Sequence, residues 1–235
     1  MQDKFAGQQV LIAGGTGGLG RAVSIAFLEA GAAVAVTYRH VAEFDALKSA
    51  VGALSARLEG HSTDVLDEAA VTQLVAGISA KSGRLDVMVN AVGGYAAGAP
   101  LWEMKAEVLD QMLSLNLRSG YTLARVVAPA MLKQGHGAIV NVAATAAINH
   151  MAAAGAYVAS KAAAVAMIDS LAADLKNSGV RANSILPSII DTEANRAAMP
   201  DADYSKWPKP SEIAQVILFL CSDEAKLIQG AAIQV

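Results

Sequence analysis

Short apolar runs alternate with longer amphipathic stretches along the whole chain. Residues 10–13, 33–38, 85–90, 138–142, 180–185 and 231–235 are too short for helices and are bounded by turn residues, so they read as buried strands. A further strand around residues 59–63 continues the alternation. Between them, residues 21–30, 44–58, 67–82, 102–133, 157–177 and 211–220 read as helices. Gly31 closes the first helix and Ser211 caps the last, while Pro129 is expected to kink the long fourth one or start a new turn. Residues 191–210, with Pro200, Pro208 and Pro210, read as a loop. Strand and helix in strict alternation predict an α/β fold: one doubly wound domain over residues 1–235, with a seven-stranded parallel sheet and helices on both faces. No linker, low-complexity segment or longer repeat interrupts it.

Composition narrows the class. Hydrophobic residues make up 54% of 235, enough for a large core. A net charge of -3 with few aromatics argues against a nucleic-acid partner. The single cysteine, Cys221, sits in an apolar helix and reads as a core thiol, and no set of metal ligands is evident. The N-terminus lacks a signal-like apolar stretch, and the uncharged residues 137–160 are interrupted by Asn141, Thr145, Asn149, His150 and Gly155. The expectation is a cytoplasmic protein with no membrane span.

The first strand runs directly into Gly14-Gly15-Thr16-Gly17-Gly18-Leu19-Gly20 and then into a helix. Glycines there let backbone N–H groups approach a pyrophosphate at a positive helix end, so this Rossmann-type unit predicts a dinucleotide site. Two registers fit, Gly15/Gly17/Gly20 and Gly14/Gly18/Gly20. The second strand ends at Tyr38-Arg39, where an acidic residue would favour a 2′-hydroxyl. An arginine suits a 2′-phosphate, which predicts NADP(H) over NAD(H). The alternative is a solvated Arg39, with His40 or the backbone serving a hydroxyl. Asp64 and Val65, at the third strand end, are placed to meet adenine, although a helix cap accounts for Asp64 equally well. Ligands of such sheets bind beyond the carboxyl ends of the strands. Asn90 and Gly93, residues 143–145, and Pro187, Ile190 and Thr192 gather at that edge. Tyr157 and Lys161 follow on one helix face, one turn apart, where the ammonium is expected to lower the phenol pKa.

Together these motifs resemble the short-chain dehydrogenase/reductase family across nearly the whole chain. The likeness rests on Gly14/Gly18/Gly20, Asn90-Ala91-Val92-Gly93, Asn116, Tyr157/Lys161 and Pro187 to Thr192, with Ser188 in place of a glycine. It implies hydride transfer between a nicotinamide and a C=O, CH–OH or C=N group of a small molecule. By the same resemblance Tyr157 would exchange the proton and Lys161 would hold the ribose. Asn116 would link Lys161 to solvent, and Thr192 would lie near the nicotinamide or pyrophosphate. The family's serine, thirteen residues before the tyrosine, is here Ala144. Thr145 can replace it only where the backbone has bulged or left the strand. One branch, the dihydropteridine reductases, also lacks that serine and is similar in residues 92–98 and 186–207. That leaves pterin reduction as an alternative, with Tyr95, Tyr204 and Trp207 either flanking a planar substrate or anchoring loops. A non-catalytic NADP sensor is a second alternative, against which Tyr157, Lys161 and Asn116 all stand. The resemblance further implies a homo-oligomer, dimer or tetramer, paired through residues 102–133 and 157–177. Family chains usually continue through a Gly-Gly tail beyond the position of Val235.

Overall fold

The computed structural model describes residues 3–235. Seven parallel strands lie in the order β3-β2-β1-β4-β5-β6-β7: β1 Gln9–Ala13, β2 Ala33–Tyr38, β3 Leu58–Ser62, β4 Val87–Asn90, β5 Gly137–Val142, β6 Val180–Leu186 and β7 Ala232–Gln234. Helices α1 (Gly18–Glu29), α2 (Val41–Ala50), α3 (Glu68–Ser82), α4 (Ala106–Leu113), α5 (Ser119–Gln134), α6 (Gly155–Asp174), α7 (Glu193–Ala198) and α8 (Pro210–Cys221) connect them. Successive side chains of a strand point to opposite faces. Val10, Ile12, Val34 and Val36 therefore pack under α1 and α8, while Leu11, Ala13, Met88 and Ile139 pack under α3, α5 and α6. Strand order reverses between β1 and β4, which opens a crevice at their carboxyl ends.

Local expectations are corrected at several points. The helix predicted over 102–133 is three pieces: residues 101–103 are a turn, and a π-helical segment, Ser114–Arg118, separates α4 from α5. Pro129 lies inside α5, which continues past it. The helix predicted over 44–58 ends at Ala50; Gly52, at φ 53°, begins a 3-10 turn that delivers the chain to β3. Within the supposed loop 191–210, Thr192 caps α7 by accepting from Asn195 N at 3.2 Å. Lys209, not Ser211, is the cap of α8, because Pro210 takes the first helical position and the Glu212 carboxylate accepts from Lys209 N at 2.8 Å. Cys221 is a buried core thiol, its pKa pushed up to about 12 by burial. By length and composition α6 could cross a membrane, but it packs on the sheet and carries a buried lysine.

A charged cluster fastens the opposite, amino-terminal edge of the sheet. The buried Asp86 carboxylate accepts from Gln9 N at 2.8 Å, from Arg84 Nη2 at 2.6 Å and from the Arg84 Nε at 2.8 Å, with His136 Nε2 at 2.7 Å. It thereby joins the starts of β1, β4 and β5. Burial alone would raise this carboxyl's pKa, but the hydrogen bonds from Arg84, Gln9 and His136 hold it below the usual range. A depressed folded pKa gives stability that is present near neutrality and lost as pH falls through it. Asp86→Ala, which leaves Arg84 and Gln9 N without their acceptor, is expected to cost about 3 kcal/mol in urea unfolding at neutral pH. The deficit should shrink as the wild-type protein is acidified.

Candidate active site

The glycine turn is built by close approach. Gly14 adopts φ 71°, a left-handed conformation, and its N–H donates to Thr37 Oγ1 at 2.9 Å. A Cβ on Gly20 would overlap the Gly14 carbonyl, and one on Gly18 would lie 2.9 Å from Thr192 Cγ2. At Gly17 an added Cβ meets only the Gly14 oxygen at an ordinary 3.5 Å. A Cβ on Gly15 would lie 2.5 Å from Val36 Cγ1, so the packing demands glycine at Gly14, Gly15, Gly18 and Gly20 and leaves room only at Gly17. The Ser24 hydroxyl lies 2.9 Å from Gly15 O and 2.8 Å from Gly20 O, which fixes the turn from beneath. No side chain caps α1, so the N–H groups of its first turn face the crevice with no side-chain partner. Leu19 is buried, while Thr16 Oγ1 donates to Glu43 Oε2 at 2.8 Å.

Beyond β2, Arg39 and His40 are exposed, and Tyr38 stacks on Phe44 with centroids 5.1 Å apart. Among the described residues Arg39 makes no ion pair or side-chain hydrogen bond. Asp64 is not a helix cap: its carboxylate accepts from Leu66 N at 2.9 Å, whereas Asp67 caps α3. Val65 is buried beside it.

A polar cluster stands across the crevice. Asn116 lies in the π segment, where one extra residue per turn re-aims the helix face. Its Oδ1 accepts from Gly94 N at 2.9 Å, and its Nδ2 donates to Gly94 O at 3.0 Å and to Ser160 Oγ at 2.9 Å. Ser160 Oγ also donates to Tyr157 O at 2.8 Å. A Cβ on Gly93 would fall 2.9 Å from Asn116 Oδ1 and 3.1 Å from Lys161 Nζ, so a side chain there would have to displace one of them. Asn90 is structural in its contacts: Nδ2 donates to Asn141 Oδ1 at 2.9 Å and Oδ1 accepts from Val92 N at 3.1 Å. Pro187 is buried and its carbonyl accepts from Thr145 N at 2.9 Å. Ile190 O accepts from Asn195 Nδ2 at 2.8 Å, which ties the β6–α7 loop to α7.

Tyr157 and Lys161 share a helix face as the spacing requires, but the expected coupling is absent. Lys161 turns inward, is buried, and donates from Nζ to Val142 O at 3.0 Å. Burial lowers its pKa to about 8. The Tyr157 pKa is raised rather than lowered, first by burial and then by Tyr95, whose ring meets it edge-on at 4.9 Å. Ser160 and Glu43 escaped the sequence reading. Ser160 is a hydroxyl on an alanine-rich helix next to Lys161, and Glu43 lies in the first turn of α2, four residues past Arg39; both were visible signals. Tyr204 and Trp207 prove to be loop anchors. The Tyr204 hydroxyl is 2.9 Å from Pro200 O, its ring underlies the Arg196 guanidinium at 4.8 Å, and Trp207 lies against it at 4.9 Å.

A glycine turn against an uncapped helix, facing a Tyr–Lys–Asn cluster across a switch-point crevice, defines a nucleotide-dependent α/β oxidoreductase. The sequence profile of the short chain dehydrogenase family matches residues 8–203, and the chain belongs to that family. It is 31% identical over 238 residues to the 3-oxoacyl-(acyl-carrier-protein) reductase of Thermotoga maritima, covering 98% of this chain and 96% of that one. It is 33% identical over 237 residues to the D-threitol dehydrogenase of Mycolicibacterium smegmatis, with 97% and 91% covered. The solved structure of ElxO with NADP bound superposes with a TM-score of 0.92 at 25% identity, covering 97% and 96%. The protein is an NAD(P)-dependent oxidoreductase.

The Lys161 burial has a measurable consequence. The folded protein releases this proton near 8, the unfolded chain near its ordinary value of about 10.4. Between the two, the unfolded state binds more protons, so stability rises with pH. Relative to Lys161→Met, the wild type should gain about 2 kcal/mol in urea unfolding between about pH 8 and about pH 10. Parallel profiles for the two proteins would mean that the ammonium sits in water.

Proposed function

We propose that the protein is an NADP(H)-dependent reductase of small carbonyl compounds, with Tyr157 as the proton donor. The observation that carries this is the convergence of Lys161 and Asn116 on Gly93 at the carboxyl edge of the sheet, with Tyr157 one turn before Lys161 on the same helix and against Tyr95. The residues fit a dinucleotide: the crowded turn at Gly14, Gly18 and Gly20 leaves the α1 N–H groups open, and Thr192 stands directly over Gly18. Bound reduced nicotinamide supplies the hydride. The raised Tyr157 pKa keeps the phenol protonated near neutrality, which suits donation to an oxygen gaining charge. The buried Lys161, one turn along the same helix face, would hold the ribose of the bound cofactor. Asn116 and Ser160 position the helix that carries both residues.

Thr145 takes the place of the missing hydroxyl at Ala144. β5 ends at Val142, and Thr145 opens a 3-10 turn, so the strand alternation that would aim it away no longer applies. Its own hydroxyl has no hydrogen-bond partner among the described residues. Reduction of a pterin C=N system is the second reading, and the apolar Ala144 favours it. Arg39, exposed and unpaired among the described residues, is the group for a 2′-phosphate. The groove lined by Asp110, Leu117, Arg118, Tyr121 and Met167 along α4, α5 and α6 suits a second copy of the chain, as dimer or tetramer. The cellular site we assign is the cytoplasm.

Tyr157→Phe should lower turnover about 1000-fold while NADPH binding, followed by its fluorescence, stays within about twofold. Retained turnover would remove Tyr157 as the acid. Arg39→Ala should raise the NADPH dissociation constant at least about tenfold and leave NADH nearly untouched. Equal weakening of both cofactors would show that Arg39 does not read the phosphate.

A further inference from the structure

Five large apolar side chains stand in water beside the candidate proton donor. Trp102 is 84% exposed, Leu101 69%, Tyr95 62%, and Ile148 and Met151 47% each. They come from two loops. One joins β4 to α4, the other joins β5 to α6, and Gly98 N donates to Ala153 O at 2.8 Å between them. Both loops are anchored at the site. Tyr95 lies against Tyr157, and a Cβ added to Gly155, two residues before Tyr157, would meet Leu101 Cδ1 at 3.1 Å. Isolated exposed hydrophobics are ordinary, but a cluster on two loops that meet over a reactive group marks a ligand surface.

The polar inventory of the same loops is as telling. Across the two loops, residues 91–105 and 143–154, the ionisable side chains are Tyr95, Glu103, Lys105 and His150, with Tyr157 following on α6. Glu103 accepts from Trp102 Nε1 at 3.3 Å. Arg196, on α7, is held by both carboxylate oxygens of Asp191. Residues 143–147 are alanine but for Thr145. Apart from Lys105 at the start of α4 and the buried Lys161, an anionic substrate finds no cation here, and a polyhydroxylated one finds few hydrogen-bonding partners for hydroxyls that are costly to desolvate. An aromatic or alicyclic ring covers the apolar surface and needs only one donor, for its carbonyl.

We propose that the substrate is an uncharged ketone or aldehyde bearing a ring next to the carbonyl, seated on Tyr95, Leu101, Trp102 and Met151. This rests on the reductase reading above and names its substrate class. The carbonyl carbon receives hydride from reduced nicotinamide and the oxygen receives the Tyr157 proton, giving an alcohol and oxidised nicotinamide.

Steady-state NADPH oxidation would be compared for 1-phenyl-1,2-propanedione, benzoylformate, butane-2,3-dione and the polyhydroxy ketone erythrulose. The expected kcat/KM for the phenyl dione exceeds that for each of the others by roughly tenfold or more. In Trp102→Ala and in Met151→Ser, the ratio of kcat/KM for phenyl dione to that for butanedione should fall about tenfold, chiefly through KM for the ring compound. Preference for benzoylformate or erythrulose, or a ratio that neither variant moves, overturns the substrate class and leaves the reductase reading standing. No turnover of any of the four, with NADPH still bound, overturns the reductase reading and this proposal with it.

Discussion

The level register of the central strands is the constraint on which the rest of the molecule depends. Ala13 pairs with Asn90, Asn90 with Asn141, and Asn141 with Ser184, so β1 and β4 end in one row and β5 and β6 run one and two residues past it. The four segments thus leave the sheet within two residues of one another along this edge. The glycine turn, the Gly93 bend, the Thr145 turn and the Pro187 loop are therefore neighbours, although they lie far apart in sequence. The row is held from within by Asn90, whose amide reaches Asn141 across the ladder and whose carbonyl oxygen catches the departing Val92 N–H.

What could be read from the sequence follows from how such a sheet is buried. Strands covered on both faces show as apolar runs such as 10–13 and 138–142, and the glycine turn shows as composition. Strand β3 was legible only by position, since its edge location lets Glu59 and His61 face outward. The break at Ser114–Arg118 has no compositional sign, because a π turn uses the same residues as the α-helix it interrupts. Helix α7 is too short for periodicity and depends on the Thr192 cap and the Arg196–Asp191 pair.

For the site, spacing revealed which residues share a face but not how deep they lie. Tyr157 and Lys161 are one turn apart, which suggests direct coupling. Depth decides otherwise: the lysine stem runs down to Val142 O, and the tyrosine remains near the surface under Tyr95. Both pKa values then follow burial before charge. The same limit applies to the aromatics. Tyr95, Tyr204 and Trp207 looked equivalent in the sequence, but Tyr204 and Trp207 are bound into their own loop, and only Tyr95 reaches the reactive phenol.

The sealed Cys221 thiol governs how this protein meets oxidants. Peroxides and disulfides attack thiolates, and a thiol pushed up to about 12 inside the core presents almost none. Glutathionylation and sulfenic acid formation on the chain therefore have no foothold at physiological pH. Among the described residues the most exposed sulfur is instead the thioether of Met151, on the loop leading into α6. Sulfoxidation there would exchange an apolar tip for a polar one at the mouth of the crevice while leaving the core intact. Oxidative ageing of this enzyme should thus be recorded in what it accepts before it is recorded in whether it stays folded.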